Sequence, residues 1–190
     1  MRIRSRQAGT TLVEVLITMV ILLVGLLGLV ALQARLQVAQ IETYQRAQAA
    51  LLLNDMTQRI ATNRIHASNY VTAAIGTGTS NCALLASSNA RVQADLREWC
   101  NLLQGAAEAN GNVRLGGLVG GRGCVEEQLV DRVYRVTVAW QGLAPVTDVD
   151  ASSNTIQTDC GAGAYDGGEL CTNDLCRRVL TTTVHIGKLT

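Results

Sequence analysis

Phenylalanine is absent from this 190-residue chain, proline occurs once, and aromatic residues make up 3% of it. With two tryptophans and four tyrosines, the folded part has few large aromatic anchors and must draw stability from elsewhere. The single proline is Pro145, so nothing before it breaks a helix by removing a backbone donor. Charge is also scarce and balanced, +1 overall, which leaves no electrostatic footprint for nucleic acid. No G-x-G-x-x-G follows a strand and no G-K-S/T occurs, so nucleotide binding has no support. C-x-x-C is missing too; Cys171 and Cys176, the nearest pair, are separated by four residues, which argues against zinc and against a redox dithiol. Structural disulfides are therefore the expected use of the six cysteines, and no metal or cofactor is expected. Histidine occurs only at 66 and 185, neither in a catalytic motif, so no enzyme activity is expected.

Against these absences stands one long apolar run, Gly9 to Leu32, with a single carboxylate at Glu14. Roughly 20 apolar residues suffice to cross the hydrocarbon core as a helix. An ionisable side chain in such a segment costs a few kcal/mol, less near an interface, which makes Glu14 a functional candidate. Arg2, Arg4 and Arg6 precede the run without an acidic residue, so the amino terminus is expected in the cytoplasm and the rest outside. A conventional secretory signal is cleaved after its apolar core at small residues; Gln33 and Arg35 fit that pattern poorly around Ala31 to Ala34.

Gly9 followed by Thr10, Thr11, Leu12, Val13, Glu14 and the unbroken apolar run resembles the cleavage motif of type IV pilin precursors. The resemblance implies cleavage between Gly9 and Thr10 by a prepilin peptidase, N-methylation of Thr10, and an assembly role for Glu14, the fifth residue of the mature chain. Thr10 departs from the family, which usually has phenylalanine or methionine there. Val24 to Gln33 is similar to the same stretch of minor pilins. Removing the three leader arginines would change the formal charge from +1 to −2.

The domain organisation expected is a leader at 1–9, a transmembrane or filament-core helix at 10–32, an amphipathic continuation at 33–63, and a periplasmic or extracellular head at 64–190. The helix from Thr11 to Thr62 would be about 75 to 80 Å long. Ile41, Tyr44, Ala47, Leu51 and Leu52, extended by Met56 and Ile60, are its expected packing face, with Arg59 intruding. Asn63 to Arg91 reads as an irregular surface connection, and Ala94 to Leu103 as a short helix presenting Leu96, Trp99, Cys100 and Leu103. Repeated glycine leaves at most a weak strand at Val113 to Val119. Gln128 to Trp140 alternates cleanly, with Tyr134, Val136, Val138 and Trp140 on the one buried face; Arg178 to Ile186 is a second strand, paired antiparallel with it. Between them Thr147 to Gly168 is a polar loop, and Arg177 and Arg178 read as surface charges.

Six cysteines in an oxidising compartment allow 15 pairings, and sequence does not choose among them. Closing the loops beside the helix and the last strand favours Cys82 with Cys100 and Cys160 with Cys176, leaving Cys124 with Cys171. The fold class expected is α+β, a long amino-terminal helix packed on a small antiparallel sheet with disulfide-bonded loops, as in type IV pilins. The resemblance implies a minor pilin incorporated at low copy that helps prime pilus assembly at the tip. Its partners would be the prepilin peptidase, the major pilin, other minor pilins and the inner membrane, which it would span once before reaching the surface pilus. The alternatives are a minor pseudopilin of type II secretion and a membrane-anchored periplasmic ligand-binding protein.

Overall fold

A computed structural model describes residues 11–79, 81–105, 108–110, 113–130, 132–146, 158–167 and 170–187. The longest element is α1, Leu12–Thr62, an unbroken helix. It is followed by a 3-10 segment (Arg64–Tyr70), β1 (Thr72–Gly76), α2 (Ala90–Leu103), β2 (Glu108–Asn110), β3 (Val113–Gly116), β4 (Arg122–Leu129), β5 (Val133–Gln141) and β6 (Arg177–His185). The chain forms two units, one running to Ile41 and one from Glu42 onward. In the first, α1 exposes its apolar side chains all round; Leu27 is 70% exposed. The described part of this helix is long and apolar enough to cross a membrane.

The second unit is an antiparallel sheet of order β1-β4-β5-β6 under two helices, with β2 and β3 forming a separate hairpin. From Glu42 on, α1 buries Gln45, Ala49, Leu53, Met56 and Ile60. Met56 and Ile60 are as expected, but the face is rotated from the one the sequence suggested: Ile41, Tyr44 and Leu51 are exposed. A polar residue, Gln45, occupies the first buried turn and sets the true stripe at three- and four-residue steps. These side chains join Trp99 and Leu103 of α2 and Tyr134, Val136 and Val138 of β5 in one core.

Helix α2 starts earlier than expected because the Asn89 side chain accepts from the Arg91 and Val92 amides, an N-cap. It buries Leu96, Trp99, Cys100 and Leu103 as the pattern predicted, and Val92 as well. The Trp99 indole donates to the Leu52 carbonyl of α1 at 3.0 Å. Its ring lies over Gly123 so closely that any Cβ there would overlap it. Glycine at 123 is thus a packing requirement of β4, not a sign of a turn.

Strand β5 begins at Val133 rather than Gln128, because Gln128 and Leu129 belong to β4, which ends at Leu129 and pairs antiparallel with β5. Strands β5 and β6 pair antiparallel over nine successive residues, from Val133 with His185 to Gln141 with Arg177. The second face of the sheet is covered as well. Thr137 and Ala139 are fully buried, and Ala139 packs with Cys124, Cys160 and Tyr165. That cover comes from Thr158 to Tyr165, within the stretch expected to be a polar loop; 147–157 and Gly168 lie outside the described residues. The connection from Asn63 to Arg91 is also more ordered than expected, since Ala67 and Tyr70 are buried and β1 supplies an edge strand.

Three disulfides hold this unit: Cys82–Cys100, Cys124–Cys160 and Cys171–Cys176. The first is the expected pair, tying the turn after β1 to α2. Cys160–Cys176 and Cys124–Cys171 do not form. Cys124 lies on the second face of β4, where the covering segment brings Cys160 within a Cα separation of 5.9 Å. Cys176 closes a tight loop with Cys171 instead, at 5.2 Å. Bridging needs Cα atoms within about 7 Å.

Candidate functional site

At the start of α1, Thr11 stands just outside the helix and its carbonyl accepts from the Glu14 and Val15 amides at 3.0 and 3.3 Å. Its hydroxyl also accepts from the Glu14 amide at 3.4 Å. T-L-V-E therefore has the residues of a capping box, the sequence signature of a helix amino terminus. Glu14 lies in the first turn, where the helix dipole favours a carboxylate, and its side chain is exposed. Gly9 and Thr10, the expected processing residues, lie outside the described residues. Deeper in the span, the Thr18 hydroxyl donates to the Val15 carbonyl at 2.8 Å, so this polar group is satisfied within the helix. Gly25 and Gly28 have open space where a Cβ would stand.

A second constellation lies where α1 meets α2, and the sequence reading missed it. Arg59, taken only as an interruption of an apolar face, pairs with Asp55 at 2.9 Å, Asp95 at 2.9 Å and Glu98 at 2.8 Å. Asp95 is buried and also accepts from the Tyr70 hydroxyl at 2.5 Å. Burial works against the Arg59 charge, yet the hydrogen bonds to Glu98 and Asp55 outweigh it and hold the guanidinium above its ordinary range. Burial, then the hydrogen bond to Asp95, pushes the Tyr70 phenol up to about 12. Asp55 with Arg59 and Arg91 with Asp95 are both four residues apart, the one signal that could have revealed this network beforehand.

Arg177 and Arg178 are not simple surface charges. Arg177 donates to the carbonyls of Cys160 and Thr158 at 3.2 and 3.1 Å, securing the covering segment. Arg178 donates to Ala144 O at 2.7 Å and to Leu175 O at 3.3 Å, and pairs with Glu42 of α1 at 3.4 Å. His66 is half-buried in the 3-10 segment, and His185 is exposed at the end of β6. The structure gives these two imidazoles no shared site.

Residues 4–30 match the family model for the prokaryotic N-terminal methylation motif. No curated protein and no solved structure matches the chain. The motif suggests a structural rather than catalytic protein, and with the apolar helix behind it fits a membrane-anchored subunit. The long apolar helix, the disulfide-bonded antiparallel head and above all this leader, which indicates a prepilin peptidase substrate and pilus-type assembly, support a place for the chain in the type IV pilin or pseudopilin family.

Proposed function

We propose that the chain is a minor pilin of a type IV pilus, most like PilV, that enters the filament at low copy and helps prime assembly at its tip. The observation that carries this reading is the placement of Glu14: one turn into α1, exposed, and five residues beyond Gly9. Cleavage between Gly9 and Thr10 releases the leader at 1–9 and leaves an amine on Thr10, which is N-methylated. Until assembly, 10–32 spans the inner membrane with its amino terminus in the cytoplasm, 33–63 continues the helix outward, and 64–190 forms the head in the periplasm. Near the interface, water and headgroups solvate Glu14. In the filament, major and minor pilin helices replace lipid, and a lone carboxylate among them would cost several kcal/mol. A neighbouring subunit's terminal amine is the cation within reach, and the pair sets register more than it adds net stability.

Glu14→Leu should leave membrane level, cleavage and disulfides intact while sharply lowering the protein in sheared pili. Its abundance there, compared with wild type at equal membrane levels, is the measurement. Wild-type incorporation of Glu14→Leu would contradict the assembly role, and loss from the membrane would make Glu14 an insertion residue instead.

A further inference from the structure

The sheet has two edges, and they are finished differently. At β1 the pairing with β4 is short and shifts register between Thr72 and Ile75. It ends on Gly76 at φ +113, in the left-handed region. The Gln104 amide donates to the Gly76 and Thr79 carbonyls at 2.9 and 3.0 Å, and the Gly76 amide donates to the Thr79 hydroxyl at 3.2 Å. A bulge, a short strand and a side chain laid over the last carbonyls are the usual ways of blunting an edge.

Strand β6 has none of these protections. It pairs with β5 over nine residues with no shift, and Val179 to Val184 contains no charge and no proline. Its two arginines are turned inward to the bonds described above. The Ile186 amide bonds to Arg132 and the Gly142 amide bonds to Cys176 O, so even-numbered residues of β6 direct their main-chain groups at β5. In an antiparallel ladder the alternate residues must then point outward. Val179, Thr181, Thr183 and His185 thus present four amides and four carbonyls along the open edge, and among the described residues nothing bonds them.

The topology selects the occupant. Antiparallel pairing of β6 with β6 of a second copy requires a two-fold axis normal to the sheet. That axis would reverse the part of α1 lying on the sheet, from Glu42 to Thr62, so the two Glu42 ends would face opposite ways. Two chains that both leave this unit at Glu42 for one membrane would then leave it on opposite sides of the pair. In a four-stranded antiparallel sheet, however, the first and last strands run oppositely. A subunit of like orientation placed beside β6 therefore offers its own first strand antiparallel to it, and keeps the helices parallel. A further copy of this chain cannot fill that role, because its β1 is blunted. We infer that the β6 edge, Val179 to His185, is a docking strand for the first-strand edge of a different co-anchored subunit with an antiparallel head. This rests on the pilin reading above, and adds to it a one-sided, sheet-extending contact that orders this subunit relative to another.

The test uses the full chain in cells with an active assembly system. Thr183→Pro removes an outward amide that the fold does not use, and proline is tolerated at such edge positions. A photoactivatable residue at 181 should cross-link wild type to the edge strand of a second protein that itself carries the methylation motif, identified by peptide mapping. Thr183→Pro should reduce that product about tenfold or more, the loss expected from one or two main-chain hydrogen bonds, with disulfides and thermal melting retained. If Thr183→Pro does not fold, Thr183→Lys, which leaves position 181 free for the probe, serves in its place. A cross-link only to a second copy, a cross-link to no protein, or an unchanged product in these variants would overturn the proposal. Cleavage at Gly9 is read on the same samples: uncleaved protein counts against the pilin reading, whereas cleaved protein without the cross-link counts against this one alone.

Discussion

Asp95→Ala should cost the head about 3 kcal/mol or more, the range for removing one partner of a buried ionic network. Asp95 joins three elements: it accepts from Arg59 on α1 and from Tyr70 beyond it, while belonging to α2 itself. Its loss leaves the Tyr70 hydroxyl without its acceptor and Arg59 Nη1 with Glu98 alone, in a site with little access to water. Tyr70→Phe, which removes only the phenol, should cost less, and the double variant should fall short of the sum because the two groups share one bond. The same bond fixes a pH signature. Tyr70 is held neutral in the fold, with its pKa raised from the ordinary 10 to about 12. Its contribution is therefore complete below pH 10 and is lost as pH rises through about 12, as the unfolded chain ionises first. Denaturant unfolding of the full chain in detergent, at neutral pH and above pH 10, checks both points. A smaller alkaline decline in Tyr70→Phe is expected, and an Asp95→Ala variant as stable as wild type would refute the role of the network.

Replacing each disulfide by a pair of serines should destabilise the head in the order Cys124–Cys160, Cys82–Cys100, Cys171–Cys176. The bridged residues are 36, 18 and 5 apart, and loop-closure entropy gives about 3.8, 3.2 and 2.1 kcal/mol in turn. Packing strengthens the ranking. Cys124–Cys160 pins the segment that covers Ala139 and carries Tyr165, whose hydroxyl bonds to Gly120 O at 2.9 Å. Without that bridge the covering segment is held by Arg177, by Tyr165 and by the Thr158 hydroxyl, which donates to Glu126 of β4 at 3.0 Å. A small, aromatic-poor domain has little reserve against such a loss. Melting temperatures of the three variants, with thiol titration to confirm that the remaining bridges form, decide the matter. Equal melting of Cys124→Ser/Cys160→Ser and wild type would show that the covering segment is held by something else.

Much of this architecture was legible in the sequence because period and composition agreed. The long helix followed from an apolar run without proline, α2 from its spacing, and the pairing of β5 with β6 from alternation and β-branched residues. Strand β4 was hidden because Gly121 and Gly123 read as turn, although Gly123 is small so that Trp99 can lie on it. The packing face of α1 was misplaced because the buried stripe begins at a polar residue, Gln45, which an apolar pattern does not mark. The covered second face left no trace in periodicity, since an irregular segment tied by Cys160, Tyr165 and Arg177 does the covering. Two of the disulfides went wrong for the same reason: without knowing that this segment folds back on β4, nothing brings Cys124 and Cys160 together. At the amino terminus the methylation motif over residues 4–30 was legible as a linear pattern, whereas the Arg59, Asp95 and Tyr70 cluster depends on tertiary contact.

The most direct measurement is the intact mass of the full-length product extracted from membranes of cells with an active prepilin peptidase. The mass should correspond to a chain beginning at Thr10, with or without a methyl group, and Gly9→Val should retain the complete leader while still inserting, because insertion depends on the apolar span and the arginines. A mass that retains Met1 in wild type, or a terminus near Arg35, would contradict the assignment.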